Sequence, residues 1–273
     1  MRFLLAVGGL LILSHILHSP VSANEESESQ YPLERFNLRV GGMISTQDSS
    51  LTFNDVLLGT SIDGENDLGL DDDILIFRGE ASYRFGKRHR VHLGYFDLSR
   101  DSNRVIDKEL IIDDEIFPIN DVVDTKFDLK FFKVGYSYAF FQSKRLEIGG
   151  LIGLHITDFD LEVKSETLGT SVAEDYTIPL PLVGLGGSFA ITPKLFFRPS
   201  VLGLYIDAGD WSGSLVDLNL ALEYNLFENF GMGIGYNFLF LNIDSEDDGS
   251  LLGFEGEIDY DLEGIFMYGK YFF

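Results

Sequence analysis

The sequence contains no cysteine. Disulfide bonds, a cysteine-ligated metal centre and a lipid anchor on an N-terminal cysteine are therefore all excluded. Basic residues are also scarce, because 20 Lys and Arg stand against 44 Asp and Glu, for a formal net charge of −24. Since nucleic-acid binding needs clustered Lys and Arg to neutralise phosphates, we expect no nucleic-acid partner.

Long apolar runs are missing after residue 23, which argues against a helical membrane protein. Aromatic residues are abundant, with 24 Phe and 12 Tyr, and the chain has 29 Gly. A chain this apolar is not disordered, yet it is unusually rich in Phe, Tyr and Gly for a soluble enzyme. A β-sheet closed on itself in a membrane reconciles these properties.

The first 23 residues have the features of a secretory signal. Arg2 gives a basic start, residues 3–17 are apolar, and small residues precede Ala23. The apolar run is shorter than the roughly 20 residues of a spanning helix, so a cleaved signal is favoured over an anchor. We predict cleavage after Ala23, a polar periplasmic leader at 24–33 and a barrel at 34–273.

From residue 34 onward apolar residues recur with a period of two, as expected for strands with one apolar face. The predicted fold is a transmembrane antiparallel up-and-down β-barrel of about ten strands, with eight or twelve as alternatives. The predicted strands are 34–46, 72–86, 90–101, 122–141, 145–162, 175–191, 194–208, 214–227, 229–243 and 252–273. The alternation slips near Phe131-Phe132 and near Glu263-Gly264, which predicts β-bulges there.

The connections between strands alternate in length. Short turns fall near 86–89, 142–144, 192–194 and 227–229, and aromatic residues crowd around them. Long acidic connections fall at 47–71, 101–121, 163–174 and 244–250, with a shorter one at 208–213. This asymmetry predicts a periplasmic end, an external end and an aromatic girdle. Residues 47–71 are compatible with an external loop, a plug or a further hairpin.

Charged residues on the polar face of the strands are expected to form a ladder inside the bore. The predicted members are Arg78, Glu80, Arg84, His92, Lys130, Lys133, Glu147, Arg198, Asp217, Glu223 and Lys270. Small barrels are usually packed inside, which favours a structural polar core. A path for ions or solutes is the alternative interpretation.

One acidic loop has the spacing of a calcium site. Asp244, Glu246 and Asp248 are followed by Gly249 and, at the twelfth place, by Glu255. The flanks are strands rather than helices, so a solvated hairpin tip is favoured and no cofactor is expected. Divalent cations that bridge the acidic loops to lipopolysaccharide phosphates are a further expectation, which is not specific to these residues.

No constellation of catalytic residues stands out. His155 has Thr157, Asp158 and Glu162 nearby in sequence, but catalytic triads are defined by geometry rather than by chain proximity. A structural histidine is favoured, and the chain is not expected to be an enzyme. The glycines at 231, 233 and 235 lie within a strand and lack the spacing of a nucleotide-binding loop.

The chain ends on alternating apolar residues, and Met267, Tyr271 and Phe273 resemble the assembly signal of bacterial outer-membrane barrels. With this ending, the whole mature chain resembles the small outer-membrane barrels related to OmpA- and OmpW-type proteins. The stretches that carry the resemblance are Asp67-Leu68-Gly69-Leu70, Gly153-Leu154-His155, Ile191-Thr192-Pro193-Lys194 and Glu228-Asn229-Phe230-Gly231. The resemblance implies outer-membrane localisation, contact with membrane lipids and lipopolysaccharide, and insertion by the outer-membrane assembly machinery.

Three functions remain open from the sequence. The first is a non-enzymatic structural or surface role, and the second is a small channel or porin for ions or small apolar solutes. The third is an outer-membrane hydrolase acting on lipid or peptide. Omptin proteases are also ten-stranded, but their acidic pair and Asp-His pair are not placed in this sequence, which argues against a protease.

Overall fold

The computed structural model describes residues 34–53, 60–112, 115–207, 209, 211–245 and 256–273. The predicted signal and leader at 1–33 lie outside these residues. No helix of the described segments is long and apolar enough to cross a membrane. The strands are β1 (Phe36–Phe53), β2 (Thr60–Asp63), β3 (Asp73–Phe85), β4 (His89–Val105), β5 (Leu110–Ile112), β6 (Glu115–Phe117), β7 (Val122–Gln142), β8 (Leu146–Ser165), β9 (Ser171–Ala190), β10 (Leu195–Asp207), β11 (Trp211–Asn225), β12 (Phe230–Ser245) and β13 (Gly256–Phe272).

Ten of these strands form a closed antiparallel barrel, in the order β1-β3-β4-β7-β8-β9-β10-β11-β12-β13. The ring closes where β1 pairs with β13, from Asn37 opposite Phe272 to Phe53 opposite Gly256. Closure gives each of the ten strands two neighbours, so most backbone groups of the wall bond to neighbouring strands even where no water is present. The predicted fold class and the strand number of ten are confirmed.

Several strands extend beyond their predicted bounds: β1 runs to Phe53, β4 to Val105 and β8 to Ser165, and β9 begins at Ser171. β7 has 21 residues, and β8 and β9 have 20 each, about twice the roughly 9–11 residues that a tilted strand needs to cross a bilayer. Much of the predicted connections 101–121 and 163–174 is therefore strand. These extensions were not predicted because their outward residues are polar, as the residues of a loop usually are.

The polarity of the two faces inverts along β7. In its second half the outward residues are apolar: Phe132, Val134, Tyr136, Tyr138 and Phe140. In its first half the outward residues are charged and the inward residues are buried and apolar, namely Phe127, Leu129 and Phe131. A strand that faces lipid needs an apolar outer side, whereas one surrounded by water buries its apolar side inward. The inversion between Lys130 and Phe132 therefore marks where the barrel leaves the membrane.

The same inversion occurs on β13, where outward Glu257, Asp259, Asp261 and Glu263 give way to Ile265, Met267 and Tyr271. The strand pairing is continuous through both predicted bulges, so that prediction was wrong. The slip in the pattern is a change of surroundings rather than an extra residue. One register shift occurs in this part of the wall, between Ala139 and Phe141 near a short turn.

Part of the segment 47–71 forms a hairpin, and part of it folds into the end of the barrel opposite the short turns. β1 continues to Phe53, and β2 folds back against it, with Ser50 opposite Asp63. The chain then turns inward and buries Leu68 and Leu70. A second small hairpin, β5–β6, buries Ile112 and Phe117 at the same end of the barrel.

One seam in the wall is short. β9 and β10 pair up to Val183 opposite Gly203, although both strands continue beyond that point. Pro179 and Pro181 follow on the β9 side of this seam, and proline has no N–H to donate to a neighbouring strand. The prolines explain why the ladder ends there while β9 stays paired with β8.

Candidate functional site

The half of the bore near the short turns is polar and holds an ion cluster centred on Glu223. The Glu223 carboxylate lies 2.8 Å from Arg39, 2.6 Å from Arg198 and 2.8 Å from Lys270. Glu34 binds Arg198 at 2.9 Å and Lys270 at 2.8 Å. The side chains of Glu223 and Lys270 are fully buried. Such charges are tolerated inside a barrel because each has oppositely charged partners.

A second group of polar side chains lies deeper in the bore, around Asp217. Lys133 donates to Asp217 at 2.6 Å, and Asn237 donates to it at 2.8 Å. Arg78 in turn donates to the side-chain oxygen of Asn237 at 2.8 Å. His155 Nε2 lies 3.8 Å from the Asp217 carboxylate. These residues come from five strands, which the closure of the ring brings together.

A third group lies at the short-turn end. Arg84 donates two hydrogen bonds, of 2.7 and 2.8 Å, to the carboxylate of Glu147. Gln142 donates to the same carboxylate at 2.9 Å. Arg90 approaches it only to 3.8 Å. His92 Nε2 and the Ser137 hydroxyl lie 2.8 Å apart beside this group.

The second and third groups surround a cavity of about 200 Å³. Arg88, in the turn between β3 and β4, lines one end of it, so the cavity reaches the short-turn end of the barrel. Its deep end is lined by His155, Leu182 and Asp217. A cavity of this size holds several water molecules or one small ligand.

An aromatic layer lies across the bore beyond the cavity. Phe96 and Phe131 stack with ring centres 4.4 Å apart, and Arg78 lies over Phe96 at 5.8 Å and over Phe266 at 5.0 Å. Lys133 also contacts the Phe96 ring, at 5.1 Å. The cations therefore lie directly against the aromatic rings that separate the polar half from the apolar half. Further along, the interior is a continuous apolar core that includes Met43, Leu98, Leu129, Leu180, Leu239 and Leu262.

The external mouth is closed by a buried ion pair. Arg100 on β4 points inward and has a side-chain exposure of 0%. It binds Glu65, in the segment after β2, at 2.5 Å and the Ser49 hydroxyl at 3.0 Å. The Arg100 guanidinium also lies 4.6 Å over the ring of Phe127. The inward-folded segment is thus held to the barrel wall from within.

Solved structures with a similar fold are outer-membrane proteins. The outer membrane protease OmpT from Escherichia coli matches with a TM-score of 0.62 at 9% identity, over 89% of this chain and 97% of that one. Ail of Yersinia pestis matches with a TM-score of 0.34 at 12% identity, over 87% and 96% of the two chains. TodX of Pseudomonas putida matches with a TM-score of 0.35 at 8% identity, over 89% and 90%.

The chain has the fold of a bacterial outer-membrane β-barrel. No family model matches it. No curated protein matches it either. With its apolar outer belt, the closed barrel belongs in the bacterial outer membrane. In outer-membrane barrels the short turns usually face the periplasm, and we expect the same orientation here, with the polar extension outside the cell.

The barrel places most of the predicted ladder in the bore, but not Lys130. Lys130 lies on the exposed outer face beyond the apolar belt, so its predicted position was wrong. The physical reason is the inversion, since a polar residue faces outward wherever the barrel wall is in water. The other predicted members face the interior. Glu80 lies between the groups, 3.2 Å from Arg39 and 2.5 Å from Arg78, and the rest belong to the three groups described above.

The remaining predicted sites have mixed outcomes. Met267, Tyr271 and Phe273 face outward into the apolar belt, and their role in assembly stays a prediction. Glu246, Asp248 and Glu255 of the calcium loop lie outside the described residues, and Asp244 is the last acidic residue before that gap. Within the described ranges, no three acidic or histidine side chains are grouped to hold a metal ion.

Sequence reasoning missed four important charged groups. Arg39 and Arg90 are at inward-facing positions of the period of two, so the alternation could have predicted that they face the bore. Arg100 also has this parity, but the predicted strand ended beside it. Glu34 precedes β1 and has the parity of the outward Leu38 and Val40, yet it accepts hydrogen bonds from three side chains, those of Asn37, Arg198 and Lys270.

Proposed function

We propose that this outer-membrane barrel is a non-conducting, non-enzymatic protein with a structural or surface role. The observation that carries the proposal is the apolar core that fills the bore on its external side. A channel needs a continuous wet path, whereas Phe131, Leu215, Leu239 and Leu262 have exposures of 0% in this region. The periplasmic cavity is therefore blind.

The mouth adds a second barrier. The Arg100–Glu65 pair and the buried Leu68 and Leu70 lie between the apolar core and the outside. Opening a path would expose the Arg100 charge and remove several apolar side chains from their contacts. Breaking such a buried pair costs about 3–5 kcal/mol, which disfavours spontaneous opening.

The histidine environment favours a structural role over hydrolysis. A hydrolytic site needs an acid or base within about 3 Å of a nucleophile or a bound water, at a place that substrate can reach. His155 lies deep in the bore, 3.8 Å from an Asp217 carboxylate that already binds Lys133 and Asn237. No hydrogen bond from the His155 ring to another described side chain is present.

The extension outside the membrane favours a surface role. Its outer wall carries carboxylates on neighbouring strands, such as Asp160 on β8 opposite Asp175 on β9. Asp48 on β1 likewise lies opposite Asp261 on β13. Such a wall repels lipopolysaccharide phosphates unless divalent cations lie between them. We propose that the barrel meets the lipopolysaccharide layer through such cations.

Planar-bilayer recording tests the proposal. The protein refolded from its mature sequence is added to a planar bilayer in concentrated KCl, with a porin as the positive control. We expect no stepwise current from this protein in membranes where the porin conducts. Reproducible single-channel steps would contradict the proposal and favour the channel interpretation.

A further inference from the structure

The periplasmic cavity has a charge opposite to that of the chain as a whole. The sequence has a net charge of −24, yet the cavity is lined by seven cationic side chains and three carboxylates. The cations are Arg39, Arg78, Arg84, Arg88, Arg90, Lys133 and Arg198, and the carboxylates are Glu80, Glu147 and Asp217. Glu223 and Glu34, behind the lining, bind Arg39 and Arg198, which leaves five cations against the three carboxylates. A recess with excess positive charge attracts anions, because low-dielectric walls strengthen the field inside it.

Arg90 is the cation whose charge is least compensated among those that the barrel shields from water, since Arg88 is exposed in its turn. Its nearest carboxylate is Glu147, at 3.8 Å. That carboxylate already accepts two hydrogen bonds from Arg84 and one from Gln142. No hydrogen bond joins the Arg90 guanidinium to any other described residue, although only 17% of its side chain is exposed. A guanidinium carries five N–H donors, so this one has unused capacity.

Arg90 has more repulsion than attraction around it. Arg84 and Arg198 lie close enough to repel it electrostatically, and Glu147 and Glu34 attract it less strongly. A buried cation with only a distant carboxylate is costly, and a second and third cation nearby increase that cost. An anion beside Arg90 would offset the repulsion and accept hydrogen bonds from its unused donors.

Neutral donors line the same space. The Ser137 hydroxyl is 2.8 Å from His92 Nε2, and Ser82, Ser188 and Ser200 also line the cavity. Hydroxyl groups and guanidinium forks together are the donors that proteins use for phosphate and carboxylate groups.

Glycines keep the cavity open. A Cβ atom at Gly149 would lie 2.8 Å from the backbone oxygen of Tyr138, and one at Gly187 would lie 2.8 Å from that of Glu147. Both glycines line the cavity. Since any larger residue at either position would collide with the neighbouring strand, the close approach of strands that shapes this space depends on glycine.

We propose that this cavity is a periplasm-facing binding site for a small oxyanion, with Arg90 as its principal cationic ligand and the charges of Arg84 and Arg198 beside it. The ligand group is a phosphate or a carboxylate, which the planar guanidinium fork binds through two parallel hydrogen bonds. It enters at the short-turn end, past Arg88, and stops at the aromatic layer. The site binds without conducting, because the external half of the bore is filled.

Calorimetry on the refolded barrel in neutral detergent micelles tests the site, with inorganic phosphate, acetate and chloride as probes at constant ionic strength. We expect saturable binding of phosphate or acetate with one site per chain and no comparable heat from chloride. Arg90→Gln should weaken that binding at least tenfold. Arg145→Gln is the matched control, because Arg145 is exposed in the turn between β7 and β8 and does not line the cavity.

Thermal unfolding is a second measurement, which compares each variant with and without the probe and so remains useful if a substitution changes the stability of the barrel. The bound probe should raise the melting temperature of the wild type and of Arg145→Gln, but not that of Arg90→Gln. Arg90→Lys, which keeps the charge but loses the fork, should bind several-fold more weakly than the wild type. Heat that chloride reproduces, or equal affinity in the wild type and Arg90→Gln, would overturn the proposal.

Discussion

Arg100 and Glu65 join the barrel wall to the segment that folds into its external mouth, with 2.5 Å between Arg100 Nη1 and Glu65 Oε1. The two residues are 35 positions apart in the chain. The pair lies at the end of an apolar core, so it is shielded from the water that would otherwise screen it. It therefore fixes a connection that would otherwise be a free surface loop.

Removing the carboxylate of this pair should destabilise the barrel. Glu65→Gln leaves Arg100 charged and buried without a counter-ion, and we expect a loss of about 3–5 kcal/mol in the free energy of unfolding. Urea titration of the protein in phospholipid vesicles measures it. Glu109→Gln is the control, since Glu109 is exposed, and it should change the unfolding free energy little. Equal effects of the two substitutions would show that the mouth is not closed by this pair.

Two adjacent phenylalanines should differ sharply in their contribution to stability. Phe131 stacks on Phe96 inside the bore, whereas Phe132 faces the lipid and is 44% exposed. We expect Phe131→Ala to cost about 3–5 kcal/mol through the cavity it leaves, and Phe132→Ala to cost less than half as much. The same urea titration distinguishes them. A larger effect at Phe132 would mean that Phe132, and not Phe131, faces the bore.

The buried ion cluster should depend on Glu223. Glu223→Gln leaves Arg198 and Lys270 to share Glu34 and leaves Arg39 with Glu80 alone, and we expect a loss of about 3–5 kcal/mol. Glu263→Gln, on the exposed outer wall, is the matched control. Electrophoresis provides an independent readout, because a folded barrel runs as a compact band that is lost on heating. This band should be lost at a lower temperature in Glu223→Gln than in the wild type. A barrel unchanged by Glu223→Gln would contradict the central role of this carboxylate.

The acidic outer wall should make stability depend on pH. Burial, together with the charges of Asp48, Asp259 and Glu263, raises the pKa of the Asp261 carboxyl in the part of β13 outside the membrane. The folded state then holds this proton more tightly than the unfolded chain. Ionised Asp261 therefore lowers the unfolding free energy, and the loss grows as the pH rises from the ordinary carboxyl pKa of about 3.9 to the raised folded value.

Asp261→Asn should accordingly stabilise the barrel at pH 7.5, by up to about 1 kcal/mol for like charges opposite one another. The difference from the wild type should vanish at pH 3, where the carboxyl is protonated in both states. Asp101→Asn is a suitable control, because Asp101 lies opposite Lys126 rather than another carboxylate. A stabilisation that persists at pH 3 would rule out charge repulsion as its cause.

The alternation of apolar residues was sufficient to predict the ten-stranded ring and most of the inward charges. Arg78, Glu80 and Glu223 follow from the period of two alone. What the period does not contain is which face points inward. Whether the apolar or the polar face points inward depends on what surrounds the outer wall. A single strand can be surrounded by lipid in one half and by water in the other. Lys130 was misplaced for this reason, and the extended ends of β4 and β8 were taken for loops.

Contacts between distant segments were beyond the sequence. Glu65 lies outside any predicted strand, and Glu34 has the parity of the outward residues of β1, so no pattern linked them to Arg100 or to Arg198. The Arg84–Glu147 pair spans 63 positions, and such pairing depends on how the closed ring brings β3 and β8 across the bore. The sequence therefore predicted which residues face the interior, but not how they pair there.

Cysteine labelling tests the inverted wall most directly, because the native chain has no cysteine to interfere. Asp128, Leu129 and Val134 of β7 are each replaced by cysteine in separate variants. Intact cells that carry each variant are treated with a membrane-impermeant maleimide. We expect rapid labelling at position 128, outside the membrane on the outer face, and none at position 129 in the core or at position 134 against lipid. Labelling at position 134, or protection at position 128, would contradict the account.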